Sequence, residues 1–103
     1  MDNFKDLVQR RRSVRKFTEQ SIKADDLQTI LRAALMSPTG KSVRGWHFVV
    51  VDDKDLLEKI SLCRSMGSQF LAGAAVAIVV LGDRDASDVW CEDASLAALS
   101  MQY

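Results

Sequence analysis

Apolar side chains recur along this chain at two spacings, and the changes from one to the other divide it into elements. Phe4, Leu7 and Val8 stand three and four residues apart, which predicts an amphipathic helix over residues 2–12 with its apolar stripe toward a core. A second helix is expected from Ser21 to Met36. There Leu27, Ile30, Leu31, Ala34 and Leu35 keep the 3.6-residue period, and Asp25 and Asp26 favour the positive end of the helix dipole. Ala24 is a poor cap, and Pro38 forbids continuation.

Trp46 to Val51 is an aromatic and β-branched run typical of a strand, and Asp52-Asp53 ends it. Leu56, Leu57 and Ile60 return to helical spacing and predict a third helix from Asp55 to Cys63. The segment through Met66, Gly67 and Phe70 has no clear period. Ala74 to Leu81 is continuously apolar between Gly73 and Gly82, the pattern of a central strand buried on both faces. After the polar loop Gly82–Ser87, residues Asp88 to Tyr103 read as a helix with Val89, Leu96, Ala98 and Leu99 inward. No Gly, Asn or Pro ends it, so it reads as interrupted. Two strands are fewer than a small sheet usually needs, so oligomerisation or further C-terminal sequence is expected to supply the rest.

At 103 residues and 11.5 kDa the chain has room for one small domain, spanning residues 1–103. Hydrophobic residues are 48% and charged residues 27%, which excludes a disordered chain. The formal net charge is zero, yet it hides an asymmetry. Residues 1–50 carry ten Lys/Arg against five Asp/Glu, and residues 51–103 carry four against nine. The front half is therefore where an anion would sit.

Other chemistry is thinly represented. Cys63 and Cys91 form no CxxC pair and His47 is the one histidine, so metal-ligand spacing is absent. Neither cysteine has the basic surroundings of a nucleophile, Arg64 beside Cys63 being the sole hint of one. His47, in an alternating strand without a carboxylate partner, reads as structural. Asp83, Asp85, Asp88, Glu92 and Asp93 lack the order of a calcium loop and read as a solvated loop and a negative helix start. Gly40-Lys41-Ser42 is like the end of a phosphate-binding loop, but it follows a helix and lacks the opening glycine, which excludes a nucleoside triphosphatase. Trp46 and Trp90 are expected as core or interface anchors. The opening residues lack the apolar core of a signal peptide and the longest apolar run is too short to span a bilayer, so a cytoplasmic protein with reduced thiols and no membrane partner is expected.

The densest feature is Arg10-Arg11-Arg12-Ser13-Val14-Arg15-Lys16, where Val14 is the one uncharged neighbour of Ser13. Composition alone leaves two readings, a solvated basic helix end or a site for an anion such as phosphate. Nucleic acid would call for interleaved aromatics or a recognition helix, and neither is present.

The order of residues inside that run says more than its charge. Arg11-Arg12-Ser13-Val14-Arg15-Lys16-Phe17 resembles the Arg-Arg-Ser-x-Arg-x-Phe opening of the FMN-dependent nitroreductase family, placed as here after a short first helix. Ser37-Pro38-Thr39-Gly40-Lys41-Ser42-Val43-Arg44-Gly45-Trp46-His47-Phe48 resembles that family's Pro-Ser loop running into Asn-x-Gln-Pro-Trp-x-Phe. Trp90-Cys91-Glu92-Asp93, with Ala97, Ala98 and Met101, resembles the start of its central helix. The three segments come in family order and span residues 10 to 101.

The resemblance implies an α+β, nitroreductase-like fold with helices around a central, mostly antiparallel sheet, of which this chain holds the N-terminal part. The family's Gly-Leu-Gly segment and C-terminal phosphate-binding Arg or Lys are missing here, so truncation inside the central helix is expected. It implies an intertwined homodimer with FMN at the interface and NADH or NADPH as donor. Hydride would pass to flavin N5 and then to a nitroaromatic, quinone or related small-molecule acceptor, without a protein acid or base. Arg11, Arg12, Ser13 and Arg15 match positions that hold the FMN phosphate and reach the pyrimidine edge of the flavin. A positive group there would stabilise reduced flavin. Pro38 and Thr39 match the turn that lines the isoalloxazine ring, usually from the partner subunit. Ser42 stands where the family commonly has Asn, and Arg44 and Gly45 replace Gln-Pro. Contacts at Ser42 are thus weaker or rearranged, and Arg44 either favours an anionic substrate or faces solvent. These departures keep open a second reading, a flavin-free fragment or degenerate relative serving subunit association or anion binding.

Overall fold

The computed structural model describes residues 3–103, and the architecture is α+β, with four α-helices and two strands. The Asn3 side chain accepts a hydrogen bond from the Asp6 amide at 3.0 Å and so caps α1, Phe4–Arg10; such a cap contributes about 1 kcal/mol. Asp2, expected inside this helix, lies outside the described residues. The helix ends at Arg10 because Arg11 is already extended, with ψ 132°. Its apolar stripe does not face a core as expected. Phe4 is 69% exposed, Val8 is exposed, and no α1 residue is buried. The Phe4 ring lies edge-on to Tyr103, with centroids 5.7 Å apart.

Helix α2, Ala24–Leu35, has Asp25 and Asp26 in its first turn and no side-chain cap at Lys23. Ala34 is its one fully buried side chain; Leu35, expected inside, is exposed. The helix packs on α4, Trp90–Gln102, where Ala97 is likewise fully buried. Two alanines at the crossing let the backbones approach closely, and Trp46 closes the cluster, with Phe48 and Met101 packed against it. The Trp46 and Phe48 ring centroids are 5.4 Å apart. Trp46 is therefore the core anchor expected of it. Trp90 is partly exposed and packs on the end of the sheet.

Strands β1, Trp46–Val51, and β2, Ala77–Gly82, pair antiparallel from Trp46 opposite Gly82 to Val51 opposite Ala77. The apolar run from Ala74 predicts burial on both faces, yet of that run only Ala74, ahead of the strand, is buried, and each residue of β2 stays half-buried or exposed. The physical reason is the number of layers: α4 packs on this two-stranded sheet, and no strand of the described residues extends it. Between the strands, Asp53 caps α3, Lys54–Ser61, by accepting from the amides of Asp55 and Leu56 at 2.8 and 3.3 Å. Leu57 on that helix is fully buried, and the Ser68 hydroxyl donates to the Ser61 carbonyl at 2.8 Å. Cys63 lies just past the end of α3 rather than within it.

Gly82 shows how tightly α4 sits on β2. A Cβ there would lie 2.8 Å from the Trp90 ring and 2.9 Å from the Trp90 carbonyl oxygen. The backbone atom cannot swing aside, so Gly82→Ala is expected to destabilise the fold by about 1–3 kcal/mol, read as a lower urea midpoint.

The exposed surface is 8052 Å², against about 5,800 Å² for a compact monomer of this mass. The Cα radius of gyration is 14.7 Å, against about 13 Å for a compact domain of this length. The excess is surface that no further layer among the described residues covers. Leu96 and Leu99, expected to face inward, contribute to it: both are exposed on α4, where Ala97 and Met101 take the inward positions instead.

Candidate functional site

Past Arg10, the last residue of α1, the basic run lies in a segment without helix or strand, held at both ends. Arg11 donates through its guanidinium to Gln102 Oε1 at 3.2 Å, which ties the segment to the last turn of α4. Phe17 packs against Phe70 with ring centroids 6.0 Å apart. Between these anchors Arg10, Arg11, Arg12, Ser13 and Val14, with Gln102, line a cleft of about 710 Å³. Arg12 folds back to donate to the carbonyls of Gln9 and Arg11, both at 2.9 Å. Arg15 is exposed just beyond the cleft and does not line it. Among the described residues, no carboxylate pairs with Arg11, Arg12 or Arg15. Three guanidiniums, those of Arg11, Arg12 and Arg15, without a carboxylate partner among the described residues favour a bound anion, and their planar forks suit phosphate.

The second group of predicted residues lies elsewhere. Pro38 follows the end of α2, and the chain then makes a tight turn through Gly40–Ser42. The Thr39 hydroxyl accepts from the Arg44 amide at 3.1 Å, and the Ser42 amide donates to the Thr39 carbonyl at 3.2 Å. Lys41, Ser42 and Arg44 all have positive φ, 54°, 55° and 54°. The left-handed region costs non-glycine residues on the order of 1 kcal/mol each, so this loop is held by its surroundings. Ser42 and Arg44 are exposed and Thr39 is half-buried.

The holding comes from α4 and the loop before it. Asp93 Oδ1 accepts from the Gly40 amide at 3.0 Å. A Cβ on Gly40 would meet a Val89 methyl at 2.5 Å, so glycine is needed for this approach. The Asp83 amide donates to the Gly45 carbonyl at 2.7 Å, while Asp83 Oδ1 accepts from the amides of Asp85 and Ala86. Asp83 and Asp93 are thus structural acceptors rather than solvated charges, and Asp93 is only 4% exposed. The signal for Asp93 lay in spacing: Val89, Asp93, Ala97 and Met101 recur every four residues, which puts one carboxylate inside the inward stripe of α4.

Within one chain the two groups do not meet. The arginine cleft touches α4 at Gln102, whereas the Thr39–Arg44 loop is tied to it at Asp93, nine residues earlier and so roughly 14 Å along the helix axis. His47 is exposed on β1, opposite Leu81. Both cysteines are free and exposed. Among the described residues there is no cluster able to hold a metal ion, and no helix is long and apolar enough to cross a membrane.

Comparison with known proteins bears on this arrangement directly. Residues 8–63 match the model of the nitroreductase family. A protein of Archaeoglobus fulgidus, provisionally named an NADH dehydrogenase/NAD(P)H nitroreductase, is 37% identical over 95 residues, which is 88% of this chain and 54% of that protein. The chain spans about half the length of the curated relatives it matches. Among solved structures, an FMN-dependent nitroreductase from Clostridium difficile superposes with a TM-score of 0.90 at 44% identity, covering 92% of this chain and 56% of the other. A provisionally named nitroreductase from Desulfovibrio desulfuricans, solved in complex with FMN, superposes at 0.80 with 26% identity, covering 99% and 62%. Motif order, fold and these matches agree that the chain belongs to the nitroreductase family.

Proposed function

We propose that the protein is an FMN-dependent NAD(P)H oxidoreductase, and that the arginine cleft holds the phosphate end of the flavin. The observation that carries this reading is the set of guanidiniums at Arg11, Arg12 and Arg15 with no carboxylate partner among the described residues, beside the Ser13 hydroxyl. These residues fit a phosphate in charge and in donor type. When bound, FMN supplies acceptance of hydride from NADH or NADPH and its delivery to a nitroaromatic, quinone or related acceptor. The protein's own residues bind and orient. Arg11, Arg12 and Arg15 supply charge, and Ser13 offers a hydroxyl that donates or accepts.

The loop that carries Pro38, Thr39, Ser42 and Arg44 serves the ring, in our reading, from a second copy of the chain. Its separation from the arginine cleft along α4 supports this, because one flavin then draws on two half-sites. The excess exposed area and the apolar positions left open on α1 and α4 support a homodimer as well. Exposed free thiols at Cys63 and Cys91 fit a reducing, cytoplasmic setting.

Anaerobic mixing of the FMN-loaded protein with NADH or NADPH tests the function. Loss of the flavin's visible absorbance, followed by its return on adding a nitroaromatic or quinone, is the expected result. Absorbance that neither donor alters would refute the oxidoreductase reading and leave a binding or association role.

A further inference from the structure

We propose that Asp93 is a positioning residue for the flavin site, acting through Gly40: its buried carboxylate holds the Thr39–Gly45 loop in the left-handed conformation that presents Thr39, Ser42 and Arg44. The inference rests on the flavin reading above and adds to it a residue that touches neither cofactor nor substrate.

Three observations converge on Asp93. Its side chain is almost fully buried on the inward stripe of α4, one turn before the fully buried Ala97. One carboxylate oxygen accepts the Gly40 amide at 3.0 Å, the one side-chain hydrogen bond between α4 and this loop among the described residues. The other oxygen is buried without a protein partner, as are Ser37 Oγ and the Nε1 of Trp46, a member of the Ala34–Trp46–Ala97 cluster.

A buried carboxylate with one oxygen unpartnered is costly, so packing alone would favour an apolar side chain there. What an apolar residue would forfeit is the bond to Gly40. That bond sits immediately before Lys41 and Ser42, two of the three residues with positive φ. Such a backbone relaxes toward ordinary angles unless its ends are fixed. Gly40 is the fixed end, gripped by Asp93 on its amide and packed against the Val89 methyl where a Cβ would stand.

The test compares Asp93→Ala, Asp93→Asn and Asp93→Leu with the wild-type protein by two readouts. Hydrogen exchange of the 39–45 amides, measured without flavin, reads the loop alone. Titration with FMN reads the site. Asp93→Ala is expected to speed Gly40 amide exchange about tenfold and weaken FMN about tenfold, in line with loss of one hydrogen bond to a charged group. Asp93→Asn retains an acceptor oxygen and is expected to restore both, whereas Asp93→Leu, which fills the space without an acceptor, is expected to restore neither.

Unchanged exchange in Asp93→Ala, or faster exchange with unaltered FMN affinity, would overturn the proposal, as would an Asn variant no better than Ala. Should Asp93→Ala lose its fold by circular dichroism, Gly40→Ala carries the test, since it forces the loop off Val89 with the carboxylate in place. It is expected to weaken FMN, and intact affinity overturns the proposal. If the wild-type protein binds no FMN, the flavin reading falls and Asp93's role in the site with it. The exchange data then still decide separately whether Asp93 holds the loop.

Discussion

Replacing Arg11 and Arg15 together with alanine is expected to weaken FMN binding by about a hundredfold or more while leaving the thermal midpoint within about 4 °C. Hydrogen bonds to charged groups contribute about 1.5–3 kcal/mol each, so two of them, one from Arg11 in the cleft and one from Arg15 just beyond it, both partly screened, reach a hundredfold. Both side chains are exposed, and surface changes of this kind stay within about 0.5 kcal/mol of stability, which corresponds to a few degrees in a domain of this length. The single bond between Arg11 and Gln102 Oε1 does not alter that balance, because it too is exposed. Flavin fluorescence titration and a melting curve on the same sample provide both numbers. Equal affinity in wild type and variant would remove these arginines from the site.

The second large effect is expected on assembly. Leu96 and Leu99 stand exposed on α4 and border an open apolar patch with Cys91 and Ser95. In the homodimer proposed here, this face of α4 is covered by the second chain. Leu96→Glu with Leu99→Glu would bury two charges without partners, each at a cost of several kcal/mol, so the dimer should dissociate. Light scattering on a sizing column is expected to show monomer mass, and FMN should be lost with it, because each flavin draws on both chains. A variant that stays dimeric would place the interface on another face. One that becomes monomeric yet keeps FMN would refute the half-site arrangement.

How far the sequence disclosed this structure depends on which physical signal each element carries. The periodicity at Leu27, Ile30, Leu31 and Ala34, the β-branched run from Trp46 and the spacing of Leu56, Leu57 and Ile60 all act locally, and each yielded an element within a few residues of its observed bounds. What local pattern does not reveal is which apolar face finds a partner. Phe4, Val8, Leu35, Leu96 and Leu99 keep helical spacing as well as Ala34 and Ala97 do, yet they lie exposed because nothing among the described residues covers them. The double-sided burial expected of β2 failed for the same reason.

For the candidate site the balance is similar. The Arg11–Phe17 segment was legible because its chemistry is written in consecutive residues, with Phe17 acting as the anchor against Phe70. The link from Asp93 to Gly40 spans 53 positions and was not. Among five nearby acids, Asp93 differs only in falling on the inward stripe, a distinction that needs the helix phase to be fixed first. The positive φ values at Lys41, Ser42 and Arg44 had no sequence signal either, since none of the three is a glycine or asparagine.

The most direct measurement is the visible absorbance of the purified protein, with the released cofactor identified and its amount set against protein mass. Bound FMN at close to one per chain, retained through sizing or taken up on adding FMN, is the result this account predicts. A colourless protein that also refuses added FMN would contradict it, and would leave the arginine cleft as an anion site on a flavin-free relative.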